Sequence, residues 1–255
     1  MKVHSLNKDF VAYPVNPNVC RIFGVGQEVM TLVEGTDKAL LFDTGIGYGN
    51  IRAFCESLTD KPITVVISHG HSDHVGGNCW FDEVYIHPAD MDLAREQTFE
   101  ARAKNVPALC LQRGYVAEED RTLLSPDRDV DMKPCRGGDV FSLGGLDLEV
   151  IEMPGHTAGS IALFNREGRY ILTGDAVCRG TLLGLPGAPD KTVFRDMLRD
   201  FIEKYRGQID YVLEGHGPCP DQFRIFEGNL DAVEGLLSGK YEGYPDAFGQ
   251  LIGLP

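Results

Sequence analysis

Residues 69–74 read His-Gly-His-Ser-Asp-His and follow directly on the apolar run Ile63-Thr-Val-Val-Ile67. Four potential metal ligands packed into six residues constrain the fold, because they bind an ion only if a rigid frame holds them together. The β-branched run supplies such a frame: its pattern is that of a buried strand, and it ends at Ser68. The histidines therefore occupy the loop that leaves the strand, where a rigid sheet usually carries its binding and catalytic groups. Imidazole and carboxylate together suit zinc, iron or manganese, whereas calcium or magnesium would want mostly oxygen ligands. The cluster reads as the nucleus of a two-metal hydrolytic site.

With 255 residues the chain can form one large domain or two small ones. No repeat, low-complexity tract or linker divides it, so a single domain over 1–255 is expected. The net charge of −14 would repel polyanions in the absence of a local basic stripe. None is present: the densest basic group, Arg195, Arg199, Lys204 and Arg206, alternates with Asp196, Asp200 and Glu203, as on a solvated helix face. The expected partner is a small-molecule substrate, with no nucleic acid and no membrane, since no apolar stretch approaches signal-peptide or membrane-spanning length. A cytoplasmic location is expected, and a homodimer is an open option. The cysteines at positions 20, 55, 79, 110, 135, 178 and 219 are odd in number and form no CxxC pair, which fits reduced thiols. Cys178 and Cys219 lie three residues beyond Asp175 and His216, close enough in sequence to approach a site there, although core packing is the commoner role.

The first quarter alternates short strand patterns with turn signals: Phe10–Val15, Cys20–Val25, Glu28–Glu34 and Ala39–Asp43 form an expected antiparallel meander. A helix over Gly49–Leu58 precedes the Ile63–Ile67 strand. Residues 88–105, with Pro88 in the first turn, predict a helix that extends toward Tyr115, and the whole helical insert spans about 88–135. Strands return at Val140–Leu143, Leu146–Met153, Ser160–Asn165 and Tyr170–Thr173. A helix over Lys191–Tyr205, a strand at Tyr211–Leu213 and a helix over Asp221–Leu237 complete the pattern. Two halves of strands followed by helices suggest an α/β, four-layer αββα sandwich.

Further ligands would have to come from other strand ends, and three such ends carry them. Met153-Pro-Gly-His156, Leu172-Thr-Gly-Asp175 and Leu213-Glu-Gly-His216 each place a glycine directly before the ligand, as a sharp turn with close backbone approach requires. His4 and His87 follow no such pattern and read as structural, His87 through a hydrogen bond near the start of its helix.

Taken together, Asp43-Thr-Gly45, His69-Gly-His71-Ser-Asp73-His74, Pro154-Gly-His156, Thr173-Gly-Asp175 and Glu214-Gly-His216-Gly resemble the metallo-β-lactamase-fold hydrolase superfamily, over roughly residues 20–220. The resemblance implies that His69, His71 and His156 hold one metal, that Asp73, His74 and His216 hold a second, and that Asp175 bridges both. Two divalent ions are implied, zinc by default, with iron or manganese as alternatives. Asp43 resembles the family carboxylate that orients a ligand imidazole; an Asx-type turn residue is the equal alternative.

The implied chemistry is attack on a small ester, thioester or lactone by a hydroxide held between the metals, with Asp73 as the catalytic proton carrier to the leaving group. Within the family, His71 in place of Glu speaks against flavodiiron oxygen reductases, and a bridging Asp175 departs from true zinc β-lactamases. Cys178 stands near where acyl-homoserine lactonases place a tyrosine. A mononuclear-iron persulfide dioxygenase is the non-hydrolytic alternative, and a non-catalytic metal-binding protein is the third class. Specificity is expected from the insert, as lid or dimer surface, and from Cys178–Pro189, an apolar segment read either as a wall of the site or as a buried loop.

Overall fold

The computed structural model describes residues 9–104, 124–217, 220–240, 242, 244–245 and 250–253. The chain forms two compact units, one from residues up to Cys135 with Ser142–Leu146, the other from Arg136–Phe141 with residues 147 onward.

The first unit is a seven-stranded sheet whose spatial order follows the chain. β1 (Val11–Asn16), β2 (Val19–Phe23), β3 (Val29–Glu34) and β4 (Ala39–Phe42) form the expected antiparallel meander. Pro14, which has no N–H to donate, sits on edge strand β1, where the ladder also shifts register. β5 (Ile63–Val66), β6 (Glu83–Ile86) and β7 (Asp131–Pro134) then add in parallel. Helix α1 (Ile51–Leu58) makes the β4–β5 crossover and buries Ile51, Phe54, Cys55 and Leu58, the spacing of one helical face. Asn50 caps it by accepting from the Ala53 amide at 2.9 Å. In the parallel register Phe42 lies opposite Val66, so the residues just beyond both strands, Asp43 and Ser68, emerge side by side at the carboxyl edge.

The predicted 88–105 helix is broken. A 3-10 turn at Pro88–Asp90 leads into α3 (Met91–Arg95), and helix resumes over 99–104. Thr98 is the cause: its hydroxyl accepts from the Ala101 amide at 3.3 Å, a helix-starting contact that ends the preceding turn. The extension toward Tyr115 and most of the insert beyond 104 lie outside the described residues, as do His4, Cys110 and Cys219.

The second unit holds a five-stranded sheet of order β13-β11-β10-β9-β8, formed by β8 (Val140–Ser142), β9 (Asp147–Glu152), β10 (Ile161–Asn165), β11 (Tyr170–Gly174) and β13 (Tyr211–Glu214). Helix α4 (Lys191–Tyr205) matches its predicted span and is capped by Asp190, which accepts from the Thr192 amide. Its buried Phe194, Leu198, Phe201, Ile202 and Tyr205 pack with Ile225, Phe226 and Val233 of α5 (Arg224–Leu237), each apolar side chain contributing about 1.5–3 kcal/mol of burial. The last helix starts three residues later than predicted because the backbone of Asp221 pairs with Val212 in an isolated bridge. Gly180–Leu183, read from sequence as wall or loop, is strand β12, paired antiparallel with Gln250–Gly253.

Candidate metal centre

Within the first unit, the loop after β5 is not irregular throughout: Ser72–Val75 forms one turn of helix, α2, which carries Asp73 and His74. Two glycines let this turn lie against the 43–47 loop. A Cβ on Gly76 would fall 2.3 Å from the Ile46 carbonyl carbon, and one on Gly77 would fall 2.5 Å from the Thr44 oxygen. The His74 carbonyl accepts from the Thr44 amide at 2.9 Å and from the Thr44 hydroxyl at 3.0 Å.

Asp43 governs the chemistry of this cluster. It adopts a left-handed backbone, φ 68°, and is buried. Its Oδ1 accepts from the Ser68 amide at 2.7 Å, while Oδ2 accepts from the Ser68 hydroxyl at 2.8 Å and faces His74 Nδ1 at 2.9 Å. The hydroxyl proton of Ser68 is thereby committed to Asp43, so its oxygen accepts from His69 Nδ1 at 2.9 Å. With Nδ1–H tied to oxygen in both rings, the lone pair of each neutral imidazole sits on Nε2. His69 Nε2 in turn lies 2.9 Å from His71 Nδ1, and His74 Nε2 lies 3.9 Å from Asp73 Oδ1. His69 and His74 are buried, whereas the Asp73 side chain is 31% exposed.

The second unit assembles His156, Asp175 and His216. The carbonyl of Leu182, in β12, lies 2.8 Å from His156 Nδ1 and commits that ring to the same tautomer. Asp175 Oδ2 lies 3.1 Å from His216 Nε2 and 3.9 Å from His156 Nε2. All seven sequence-predicted ligands thus fall into two local sets, four in one unit and three in the other. The donor chemistry of each fits a divalent transition metal: nitrogen and carboxylate oxygen, with three imidazoles oriented by an oxygen partner as metal-ligating histidines usually are.

Sequence reasoning missed Ser68 and the Leu182 carbonyl. A small polar residue between strand end and first histidine was the available signal for Ser68; a backbone carbonyl leaves none. His87 takes the predicted structural role, with Nδ1 accepting from the Ala89 amide at the start of the 3-10 turn. Cys178 is buried beside Thr181, and burial pushes its thiol well above the usual range, so it stays protonated. No helix among the described residues is long and apolar enough to cross a membrane.

The model of the metallo-β-lactamase superfamily matches residues 23–216, a span that holds all seven sequence-predicted ligands. Acyl-coenzyme A thioesterase MBLAC2 of Gallus gallus is 31% identical over 210 residues, 72% of this chain and 70% of its own. Its Homo sapiens counterpart is 30% identical over 210 residues, with shares of 72% and 71%. Among solved structures, a metallo-β-lactamase from Pontibacter korlensis shares the fold, with TM-score 0.65 at 17% identity, covering 89% of this chain and 99% of its own. TTHA1623, solved in a di-iron-bound form, has TM-score 0.57 at 27% identity, with coverage of 78% and 91%. The two sheets and their helices match the same architecture, and the chain belongs to the metallo-β-lactamase superfamily, at which level it is a hydrolase.

Proposed function

We propose that this protein is a metal-dependent thioesterase that cleaves small acyl thioesters, with His69, His71 and His156 holding one metal, Asp73, His74 and His216 a second, and Asp175 both. The observation that carries the metal reading is that Nδ1 of His69, His74 and His156 each faces an oxygen, of Ser68, Asp43 and Leu182, which leaves Nε2 of each ring as the donor for a metal. Such a metal pair supplies Lewis acidity and lowers the pKa of a coordinated water to about 7. Zinc is the expected metal; the di-iron form of TTHA1623 supports iron as the alternative.

The thioester preference rests on the relatives named acyl-coenzyme A thioesterase. Thioester cleavage consumes water and releases a carboxylic acid and a thiol. Asp73, partly exposed, is the chain's own group for moving the proton: its carboxylate takes a proton from water and passes it to the departing sulfur. Asp43 and Ser68 orient the imidazoles of His74 and His69 through their Nδ1 atoms.

The test is a hydrolysis panel of acyl-coenzyme A esters, lactones, a cephalosporin and phosphodiesters, run on purified protein with metal quantified in the same sample. Two metals per chain, thioesters cleaved fastest and activity lost on chelation are expected, and Asp175→Ala should lose at least one metal. Full hydrolysis by metal-stripped protein, or a lactone cleaved far above every thioester, sinks the reading. A single iron with oxygen uptake would identify a dioxygenase instead.

A further inference from the structure

Arg102, in the helical stretch that the insert contributes, is buried to 3% exposure, an expensive place for a cation unless its donors are matched. They are. Nε donates to the Gln97 carbonyl at 3.1 Å, Nη1 to the Ser125 hydroxyl at 2.9 Å and Nη2 to the Ser125 carbonyl at 2.8 Å. The Asp127 carboxylate stands 3.7 Å away and is itself 57% exposed, so it offsets little of the burial cost.

Ser125 passes the contact onward. Its amide donates to the Gly47 carbonyl at 2.7 Å, and its hydroxyl donates to the carbonyl of Gly76, the residue that ends α2. Space for this junction depends on Gly47: a Cβ there would lie 2.6 Å from Arg102 Nη1 and 2.7 Å from both Gly76 O and Ser125 Oγ. The guanidinium fork therefore meets, in one closed spot, the loop that begins at Asp43 and the far end of the turn that carries Asp73 and His74.

We infer that Arg102 is a positioning residue for the metal centre: through Ser125 it fixes the carboxyl end of α2, and with it the directions in which Asp73 and His74 present their donors. The insert's described part thus serves the site from behind the ligand turn. This rests on the metal reading above. A cleft of about 350 Å³ is lined by Arg102, Gln97, Thr98, Cys79 and Met132 among others.

The experiment measures Co(II) affinity, by competition with a chromogenic chelator, together with the visible spectrum at saturating Co(II), for the unaltered protein, Arg102→Ala, Arg102→Lys and Ser125→Ala. Loss of a group that orients ligands weakens affinity by about 10–100-fold, and a loss at the lower end of that range is expected for Arg102→Ala, with shifted bands. Lys lacks the two-pronged fork and should rescue little, whereas millimolar guanidinium entering the cleft should restore affinity to Arg102→Ala. The Arg102→Ala/Ser125→Ala double variant should be no worse than the poorer single variant, because both lie on one chain of contacts. Variants that are folded by circular dichroism, with unchanged affinity and spectrum, would overturn the inference and leave Arg102 a prop for stability alone. If the arginine variants do not fold, Ser125→Ala decides on the same two readouts. An unaltered protein that binds no Co(II) would overturn the metal reading, and this inference with it.

Discussion

Asp43 shows what a single residue can and cannot announce. Its Asp-Thr-Gly context allowed two equal roles, a turn residue or an orienting carboxylate. Both oxygens are taken up by Ser68 and His74 while the backbone sits at φ 68°, which are the contacts the second role would use. The candidate ligands could be picked out because they gather beyond strand ends, four of them behind Ser68 and three each directly behind a glycine. Ser68 and Leu182 could not, because they act through a hydroxyl common in any turn and a carbonyl common to every residue. Asp43→Asn separates charge and proton acceptance from shape: asparagine tolerates the left-handed region, so the backbone cost is small. An amide cannot accept at both positions, and an NH2 facing His74 would drive its proton to Nε2, the atom proposed to face the metal. The variant should fold normally and bind metal about 10–100-fold more weakly, as read by chelator competition; native affinity in the folded variant would exclude the orienting role.

At the scale of elements, the spans with strong periodicity were legible: α1 and α4 follow from apolar spacing, and the β1–β4 meander from its turn residues. The misses have local causes. β6 and β7 are four-residue strands, and β7 carries Asp131, Lys133 and Pro134, so no alternation marks it. β12 reads Gly-Thr-Leu-Leu and exists through pairing with a segment some seventy residues distant, which no local window contains. The turn α2 is held by tertiary contacts, with Gly76 pressed onto the Ile46 backbone. Gly76→Ala should accordingly cost about 2 kcal/mol or more, since the clash is with main chain that cannot rotate away. Gly137→Ala is the matched control: the atoms nearest its Cβ would be those of the Glu152 side chain, at 3.3 Å and beyond, and it should change stability by less than about 0.5 kcal/mol. Equal denaturant midpoints for the two variants would show that α2 yields more easily than its contacts imply.

The whole molecule was legible as α/β from the succession of strands and helices, and the family match bears that out. What remained hidden was the substrate, because the ligand motifs are common to thioesterases, lactonases and nucleases, and the side chains that choose among them carry no periodic or metal-binding signature. One global property does bear on the proposed substrate: the net charge of −14. Coenzyme A thioesters carry several phosphate charges, so the long-range field opposes their approach even where local groups bind them. Salt weakens that field, the screening length falling from about 30 Å at 0.01 M ionic strength to about 8 Å at 0.15 M. The second-order rate constant kcat/KM for an acyl-coenzyme A ester should therefore rise severalfold across that range. An uncharged thioester such as an acyl-N-acetylcysteamine, measured alongside, should show no comparable rise, which separates steering from any effect of salt on the chemistry. A fall with salt for the coenzyme A ester alone would mean that a local cationic patch at the entrance outweighs the molecule's net charge.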